Sequence, residues 1–480
     1  MENRADSENI RIEIQGEGAF SLKKGENVLS VLIEQGLFDT SYCTGHGTCG
    51  KCAVRFISGA PLPKPADRRR FLPEMLREGW RLACMAKPQQ DCMIARPEQE
   101  GDGFILDKAL LGDLNKGDKM SSEESETVVL ADLGTTTLVL LLVEKQTGKI
   151  LDVFKERNRQ WSYGADVISR MERALAGDGE ELSRLVNSDL QAVLERWKGM
   201  GYAPREMVLA GNTVMVHLLK GYPVEGLAKA PFEPVTTESV AFDLAGVRGR
   251  TVPGISAFVG GDVVAGMLAC KKEIEKDGIK NALLIDLGTN GEMVLFTEKG
   301  SFCTATAAGP AFEGGFGGTM FGSDVIRMTA SLLQRGVIDE TGLLAEAYFE
   351  TGFHDEPFWF RQQDIRALQM AKAAVFAGIR ILLEEAGLSE DAIEKVYLAG
   401  GFGYRLSVEA ACKIGLIPSL WRERTTAAGN TALAGAYLYA RGADTEDIIK
   451  HTKSINLAEK DHFNEYYLQA MNLREERDFS

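Results

Sequence analysis

The chain has little of what marks membrane, secreted or nucleic-acid-binding proteins. Its longest apolar run, Leu138 to Val143, is far too short to cross a bilayer. The first residues, Met1 to Asn9, contain no apolar stretch of the kind found in secretory signals. Lys and Arg total 54 against 69 Asp and Glu, and the net charge of −15 would repel phosphate backbones and anionic membranes. We therefore expect a cytoplasmic protein that binds neither nucleic acid nor membrane.

Four of the eight cysteines have the spacing of metal ligands. Cys43, Cys49 and Cys52 form a glycine-rich Cx5CxxC loop, and Cys84 follows later in the chain. Such a loop can aim three thiolates at one point while a fourth arrives from elsewhere in the fold. The spacing predicts a 2Fe-2S cluster, although its first gap is one residue longer than in the plant-type Cx4CxxC pattern.

Other interpretations of this loop are weaker. A structural zinc site usually pairs its cysteines as two CxxC knuckles, and only Cys49 and Cys52 form such a pair. The loop also matches GxGxxG and most of a P-loop, but Cys52 stands where a P-loop needs Ser or Thr. We interpret His46 as a solvent-facing loop residue. The remaining cysteines lack ligand spacing and are interpreted as buried thiols: Cys92, Cys270, Cys303 and Cys412.

Changes in composition predict how the chain is divided. Residues 1–96 begin with two alternating apolar segments and a helix before the cysteine loop, which is the order of a ferredoxin. Residues 97–126 contain nine acidic residues against three lysines, so their charges repel and predict a flexible acidic linker. The remainder is predicted to form a first subdomain, residues 127–270, a second subdomain, residues 271–445, and a C-terminal tail, residues 446–480.

A sequence repeat follows the linker. The segment Asp132-Leu-Gly-Thr-Thr lies between two apolar stretches, and a similar segment, Asp286-Leu-Gly-Thr-Asn, recurs later in the chain. Each copy predicts two strands joined by a tight turn. In such a turn glycine lets the backbone approach a phosphate, amides and hydroxyls donate hydrogen bonds, and the Asp can hold Mg²⁺ through water. One copy could be an ordinary hairpin, but two copies favour a phosphate site.

A third glycine cluster, Gly400, Gly401 and Gly403, follows the strand-like segment 395–399. Alone it would suggest a strand-to-helix connection in any α/β protein. After the two hairpins it completes the phosphate, phosphate, adenosine order of the superfamily of acetate and sugar kinases, heat-shock ATPases and actin. We therefore expect a multidomain α/β protein: a β-grasp 2Fe-2S ferredoxin, a linker, and a duplicated actin-like, ribonuclease-H-like ASKHA ATPase fold.

Further motifs extend the resemblance to nearly the whole chain. They are Tyr163-Gly-Ala-Asp-Val-Ile, Gly211-Asn-Thr-Val-Met, Phe258-Val-Gly-Gly-Asp262, Ala308-Gly-Pro-Ala-Phe-Glu-Gly and Gln363-Asp-Ile-Arg-Ala-Leu-Gln-Met-Ala-Lys372. With the cysteine loop, these motifs resemble those of the reductive activators of corrinoid-dependent methyltransferases.

The sequence departs from larger members of that family in two ways. It lacks an extra small domain before Thr127, and the stretch after Phe312 is shortened.

The resemblance implies an ATP-dependent reductive activator. Such a protein passes an electron from its 2Fe-2S cluster to the inactive cobalt(II) corrinoid of a methyltransferase system and restores cobalt(I). Its implied partners are the corrinoid protein and a low-potential electron donor, and a homodimer is expected. The hinge between the two ATPase halves is expected near residues 265–282.

The alternative function is a 2Fe-2S electron carrier or redox sensor whose ASKHA part only binds nucleotide or a partner. A small-molecule kinase is disfavoured because a ferredoxin has no task in phosphoryl transfer.

The expected cofactors are a 2Fe-2S cluster, ATP and Mg²⁺, and each has candidate residues. The iron ligands are Cys43, Cys49, Cys52 and Cys84. Asp132 and Asp286 are expected to face Mg²⁺. The nucleotide contacts are expected from Gly134, Thr135, Thr136, Gly288, Thr289, Asn290, Gly291, Gly400, Gly401 and Gly403. Asp262 and Glu292 are candidates to orient an attacking water, with a helix cap or a turn as the alternative. Lys372 is expected to be a solvated lysine rather than a nucleotide contact.

Overall fold

The computed structural model describes residues 9–15, 17–35, 37, 52–71, 73–95, 126–312, 322–355, 358–400 and 407–476. The chain forms two compact units, Met1–Asp102 with Phe353–Phe360, and Gly103–Gly352 with Arg361–Ser480. The predicted linker lies outside the described residues except for Glu126. Among the described residues, no helix has the length and apolar character needed to cross a membrane.

The first unit is built on a mixed five-stranded sheet in the order β2-β1-β5-β3-β4. Its strands are β1 (Asn9–Ile14), β2 (Gly18–Lys23), β3 (Ala53–Ser58), β4 (Trp80–Leu82) and β5 (Cys92–Ile94). Its helices are α1 (Val28–Glu34), α2 (Pro65–Arg70) and α3 (Pro73–Arg77). Ile12 and Ile14 alternate inward along β1 and are buried with Val28 and Leu32 of α1. The predicted hairpin and helix are confirmed, and the β-grasp ferredoxin fold with them.

Two six-stranded sheets form the core of the second unit. Their strand orders are β10-β11-β9-β6-β7-β8 and β18-β17-β12-β13-β14-β19. The first contains β6 (Thr127–Leu133), β7 (Thr137–Glu144), β8 (Ile150–Arg157), β9 (Glu206–Gly211), β10 (Ala241–Leu244) and β11 (Val247–Thr251). The second contains β12 (Ala282–Leu287), β13 (Gly291–Thr297), β14 (Gly300–Thr306), β17 (Lys395–Ala399), β18 (Thr425–Gly429) and β19 (Thr452–Ser454). A separate two-stranded hairpin is formed by β15 (Phe353–Asp355) and β16 (Phe358–Phe360).

The two large sheets repeat one topology. In each, the central strand pairs antiparallel with the next strand and parallel with a strand that comes after a long helix: β6 with β7 and β9, and β12 with β13 and β17. The parallel registers pair Asp132 with Ala210 and Asp286 with Ala399. The predicted duplication and both hairpins are therefore confirmed. Because the topology is shared, the two aspartates occupy equivalent positions near the ends of the two central strands.

Helices cover these sheets. They are α4 (Val167–Arg173), α5 (Gly179–Gly199), α6 (Thr213–Lys220), α7 (Glu225–Ala228), α8 (Gly261–Asp277), α9 (Gly322–Gln334), α10 (Gln362–Ala386), α11 (Val408–Lys413), α12 (Thr431–Ala440), α13 (Glu446–Lys450) and α14 (Phe463–Gln469). The central strands are apolar on both faces, as expected for a sheet that is covered by helices.

Helices α8 and α12 cross in direct backbone contact. A Cβ atom at Gly435 of α12 would lie 1.8 Å from the carbonyl oxygen of Ala265 in α8. Helix α8 follows the first sheet and packs on β12, whereas α12 follows β18 of the second sheet and packs on β6 and β9. The crossing therefore connects the two halves of the unit.

The C-terminal segment is part of the fold. Within residues 446–480, which the sequence predicts to be a tail, β19 pairs in parallel with β14 of the second sheet. Helix α14 packs against α10. The same segment covers Lys372, whose ammonium donates hydrogen bonds to the carbonyl oxygens of Ala470 and Asn472. The prediction of a solvated Lys372 is wrong, because this side chain is 1% exposed and its burial lowers its pKa to about 8.

The helix crossing yields a stability prediction. Gly435→Ala places a methyl group against a backbone carbonyl, so we expect it to lower the free energy of unfolding by about 2 kcal/mol despite alanine's better helix propensity. Gly199→Ala in α5 is the matched control, because nothing lies within 4 Å of the added atom. It should leave the melting temperature unchanged or slightly raised. Equal melting temperatures for the two variants, measured by calorimetry, would contradict the close crossing.

Candidate functional site

Two of the four expected iron ligands lie in the described residues, and they are in contact. The backbone N–H of Cys84 donates a hydrogen bond to Sγ of Cys52 over 3.4 Å, and both residues are buried. The N–H of Ala83 donates to the carbonyl oxygen of Cys52 over 2.6 Å. An N–H aimed at sulfur stabilises a thiolate and tunes a cluster, so this pair fits the role of iron ligands. Cys43, Cys49 and His46 lie outside the described residues.

A buried carboxylate positions the segment that carries Cys84. Asp67 accepts hydrogen bonds from the backbone N–H groups of Leu82 and Lys64, both over 2.7 Å. The neighbouring Arg81 donates to the carbonyl oxygens of Pro61 and Leu76. These contacts fix the backbone two residues before Cys84. Hydrogen bonds from outside the cysteine loop therefore help to position the segment that carries Cys84.

The other cysteines are confirmed as buried, free thiols: Cys92, Cys270, Cys303 and Cys412. Burial, with a contribution from the charge of Asp91, raises the pKa of Cys92 to about 11. Burial also raises the pKa of Cys303 to about 12. Thiols in such surroundings carry little thiolate and are poor metal ligands or nucleophiles.

The turns that follow β6 and β12 lie face to face. The hydroxyl oxygens of Thr136 and Thr289 are 2.9 Å apart, within hydrogen-bond distance. The first turn is tight, because a Cβ atom at Gly134 would lie 2.6 Å from the carbonyl oxygen of Thr137. In the second, the N–H of Gly288 donates to the carbonyl oxygen of Asn290 over 2.8 Å. The two predicted phosphate turns therefore meet at one site, here called the cleft.

The third glycine turn approaches the second of these turns. Gly400 has a φ of +113°, and a Cβ atom there would lie 2.3 Å from the carbonyl oxygen of Leu287 and 3.0 Å from Oδ1 of Asp286. A glycine is required by both the backbone conformation and the close approach. Gly401 and Gly403 lie outside the described residues. The equivalent position in the first half is Gly211, the last residue of β9, which pairs with Leu133.

Three side chains that carry no sequence-based assignment hold the first turn. Nδ2 of Asn158 donates to the carbonyl oxygen of Gly134 over 3.0 Å, and Nδ2 of Asn212 donates to Oγ1 of Thr135 over 3.2 Å. The fully buried Arg170 donates to the carbonyl oxygen of Thr135 over 2.5 Å. Asn212 lies in the Gly211-Asn-Thr-Val-Met motif, and Arg170 lies just after the motif that begins at Tyr163. Their hydrogen bonds to the first turn could be identified only from the fold.

The two candidate water-orienting acids lie beside the two strand-end aspartates. Oδ1 of Asp262 accepts a hydrogen bond from the N–H of Val263 over 2.8 Å, so a capping role is present. Burial, helped by the negative charge of Asp132, raises the pKa of Asp262 to about 7. Glu292 pairs with Asp286 across the β12–β13 hairpin and is 9% exposed. A carboxyl group with a pKa near neutrality can exchange a proton at physiological pH.

Asn430 is a site residue that the sequence analysis missed. Its Nδ2 donates to Oδ2 of Asp132 over 2.6 Å, while its Oδ1 accepts a hydrogen bond from the N–H of Leu433 over 2.8 Å and caps α12. An Asn directly before an alanine-rich run is a helix N-cap signal. The contact with Asp132 joins positions 298 apart in the sequence, and no local pattern reveals it.

The cleft fits a magnesium nucleotide. Two carboxylates at equivalent strand ends supply the hard oxygen atoms that Mg²⁺ prefers, and the turns supply hydroxyl and backbone N–H donors for phosphates. Gly400, directly after β17, brings the third turn against Leu287 and the carboxylate of Asp286. The fold and site define a class: an ASKHA-type nucleotide-binding protein joined to a 2Fe-2S ferredoxin.

Comparisons with known proteins agree with this class. Family models match the 2Fe-2S iron-sulfur cluster binding domain at residues 12–89, the RACo middle region at 128–275, and the C-terminal domain of RACo, the ASKHA domain, at 280–317 and 317–479. The chain belongs to the RACo-like family of reductive activators of corrinoid proteins.

Individual relatives cover most of the chain. The corrinoid activation enzyme RamQ of Eubacterium limosum is 27% identical over 432 residues, which cover 73% of this chain and 71% of RamQ. A solved structure of a reductive activator for a corrinoid, iron-sulfur protein aligns with a TM-score of 0.66 at 22% identity, covering 98% of this chain and 99% of the other. The ferredoxin unit alone also has relatives. One component of the Na⁺-translocating NADH-quinone reductase of Pseudomonas paraeruginosa is 32% identical over 93 residues, 19% of this chain and 23% of that protein.

The contact between Cys52 and Cys84 yields a cluster prediction. Anaerobically purified protein should contain about two iron and two sulfide per chain and give a one-electron EPR signal on reduction. Cys84→Ser should lose or remodel the cluster, because it removes a sulfur beside Cys52. Cys92→Ser is the control and should retain it, since this thiol is a separate buried side chain in the same unit. Zinc in place of iron would refute the assignment.

The raised pKa of Asp262 yields a pH prediction. The folded state holds the Asp262 proton up to about pH 7, whereas the unfolded chain releases it near pH 4, so the free energy of unfolding should fall as pH rises between these values. The slope from this one group is at most about 1.4 kcal/mol per pH unit. Asp262→Asn should reduce the fall, measured by melting temperature in the absence of nucleotide and with EDTA. Gly199→Ala, which changes no titratable group, is the control and should keep the wild-type slope.

Proposed function

We propose that this protein is the ATP-dependent reductive activator of a corrinoid-dependent methyltransferase system. It transfers one electron from its reduced 2Fe-2S cluster to the cobalt(II) corrinoid of a partner protein, so that the cluster is oxidised by one electron and cobalt(I) is restored. The observation that supports this most directly is the presence, in one chain of the RACo-like family, of a ferredoxin unit and an ASKHA nucleotide cleft.

The ferredoxin unit supplies the electron. When bound, a 2Fe-2S cluster carries one electron at a time. In this proposal Cys43, Cys49, Cys52 and Cys84 hold the iron, and the N–H of Cys84 adds a hydrogen bond to a ligand sulfur. Asp67 and Arg81 keep the Cys84 segment in place. A low-potential donor reduces the cluster again after each transfer.

The nucleotide cleft makes the transfer conditional. Asp132 and Asp286 would hold the metal ion of the nucleotide through water, and the turns at Thr136 and Thr289 would donate hydrogen bonds to its phosphates. Because these turns come from different halves, a bound nucleotide favours the conformation in which they face each other. A ligand shifts an equilibrium only through its different affinity for the two states. The two-state element of the proposal is α8, which connects the two halves and overlaps the hinge region predicted at residues 265–282.

The partner is a corrinoid protein, and the ATPase unit acts on it by stabilising a docked state in which its cobalt is easier to reduce. Asp262 and Glu292 are proposed to orient the water that attacks the nucleotide. The homodimer remains a prediction.

This function predicts an ATP-dependent reduction. The full-length protein, mixed with its cobalt(II) corrinoid protein and a low-potential reductant, should produce the cobalt(I) absorption spectrum when Mg-ATP is present and not when it is omitted. Asp286→Ala should retain the EPR signal of the cluster and lose the response to Mg-ATP, because it removes a proposed metal contact. Asp391→Ala, a change in the 3-10 turn after α10, is the control and should behave as wild type. Equal reduction without ATP would leave an electron carrier and replace this proposal with the alternative function.

A further inference from the structure

Asn430 is engaged at both ends of its side chain. The Nδ2 group donates to Oδ2 of Asp132, and the Oδ1 atom accepts from the N–H of Leu433 in the first turn of α12. The residue is 8% exposed, so these bonds are protected from competition by water. The side chain is therefore a short, rigid link between one strand-end carboxylate and one helix.

The two partners of this link belong to different halves of the unit. Asp132 is on β6, the central strand of the first sheet, whereas Asn430 directly follows β18, the edge strand of the second sheet. The backbone contact at Gly435 fixes α12 against α8. Close to Asn430, Oγ1 of Thr431 would be 3.0 Å from a Cβ atom at Gly266. Asn430 cannot move without moving this packed junction.

A hydrogen bond to a carboxylate affects how that carboxylate binds a metal ion. Residues that orient a ligand without touching the metal typically change metal affinity by about 10- to 100-fold when they are replaced. Asn430 occupies such a place, because it holds one oxygen of Asp132 at 2.6 Å while its other end is fixed to the helix.

We propose that Asn430 is a positioning residue that orients Asp132 toward the magnesium ion of the nucleotide and couples this orientation to the junction of β18 and α12. It does not touch the nucleotide itself. The inference rests on the proposed function, because it assumes that Asp132 faces the metal. It adds a path from the metal site to the helix crossing between the two halves.

The test separates the link to Asp132 from the helix cap. In Asn430→Ser the hydroxyl can still cap α12, since Ser is a strong N-cap residue, but the side chain is too short to reach Asp132. Binding of ATP to the full-length protein is measured by calorimetry, once with Mg²⁺ and once with EDTA. Asn430→Ser should raise the Kd for Mg-ATP by about tenfold and leave the Kd for metal-free ATP within about twofold.

Two further measurements distinguish positioning from a general structural effect. Ser407→Ala removes the cap of α11 in the same half and should leave both dissociation constants at wild-type values. In the wild type, Mg-ATP should slow hydrogen exchange across residues 425–435, and this protection should be reduced in Asn430→Ser.

The outcomes are distinct from those for the proposed function. If wild-type protein does not bind Mg-ATP, the proposed function fails. If wild-type protein binds Mg-ATP and Asn430→Ser binds it equally well, or loses affinity equally with and without Mg²⁺, the role of Asn430 is refuted while the proposed function stands.

Discussion

The nucleotide cleft depends on the backbone contact between α8 and α12. Because the backbone of Gly435 lies against the carbonyl oxygen of Ala265, the two helices approach more closely than side chains would allow. Each helix begins at the cleft: α8 with Asp262 in its first turn, and α12 with Asn430 as its cap. Both of these side chains act on Asp132, one through charge and one through a hydrogen bond. A wider crossing would therefore change the environment of the Asp132 carboxylate.

The duplicated fold supports a site whose two halves differ. The sheets place Asp132 and Asp286 at equivalent registers. Their neighbours nevertheless differ, since Asp132 receives a hydrogen bond from Asn430, whereas Gly400 allows the backbone to approach Asp286. The first turn is held by Asn158, Arg170 and Asn212. The two halves therefore hold equivalent aspartates in different surroundings.

The sequence predicted those features that depend on local pattern. Strand, turn and return strand are encoded by alternation and glycine around Asp132 and Asp286, and both hairpins are confirmed. Contacts between segments that are distant in the chain could not be predicted from the sequence. Lys372 lies on the apolar face of α10, four residues after Leu368, but its charge led us to expect it in solvent; its burial follows from the C-terminal segment that folds over α10. Asn430 shows only a cap signal, and its bond to Asp132 requires the two sheets to be assembled. The outcome for Cys43, Cys49, Gly401 and Gly403 is not decided by the described residues.

Hydrogen bonds join the two halves both at the turns and along α12. At the turns, one joins the hydroxyls of Thr136 and Thr289 and one joins Asn430 to the carboxylate of Asp132. Along α12, the hydroxyl of Tyr437 donates to the carbonyl oxygen of Lys145. A neutral hydrogen bond contributes about 0.5–1.5 kcal/mol and one to a charged group about 1.5–3 kcal/mol. The contacts along α12 do not involve the turns, so they can keep the halves together while the contacts at the turns change. A ligand at the turns can then shift the balance between two arrangements only through its different affinity for them.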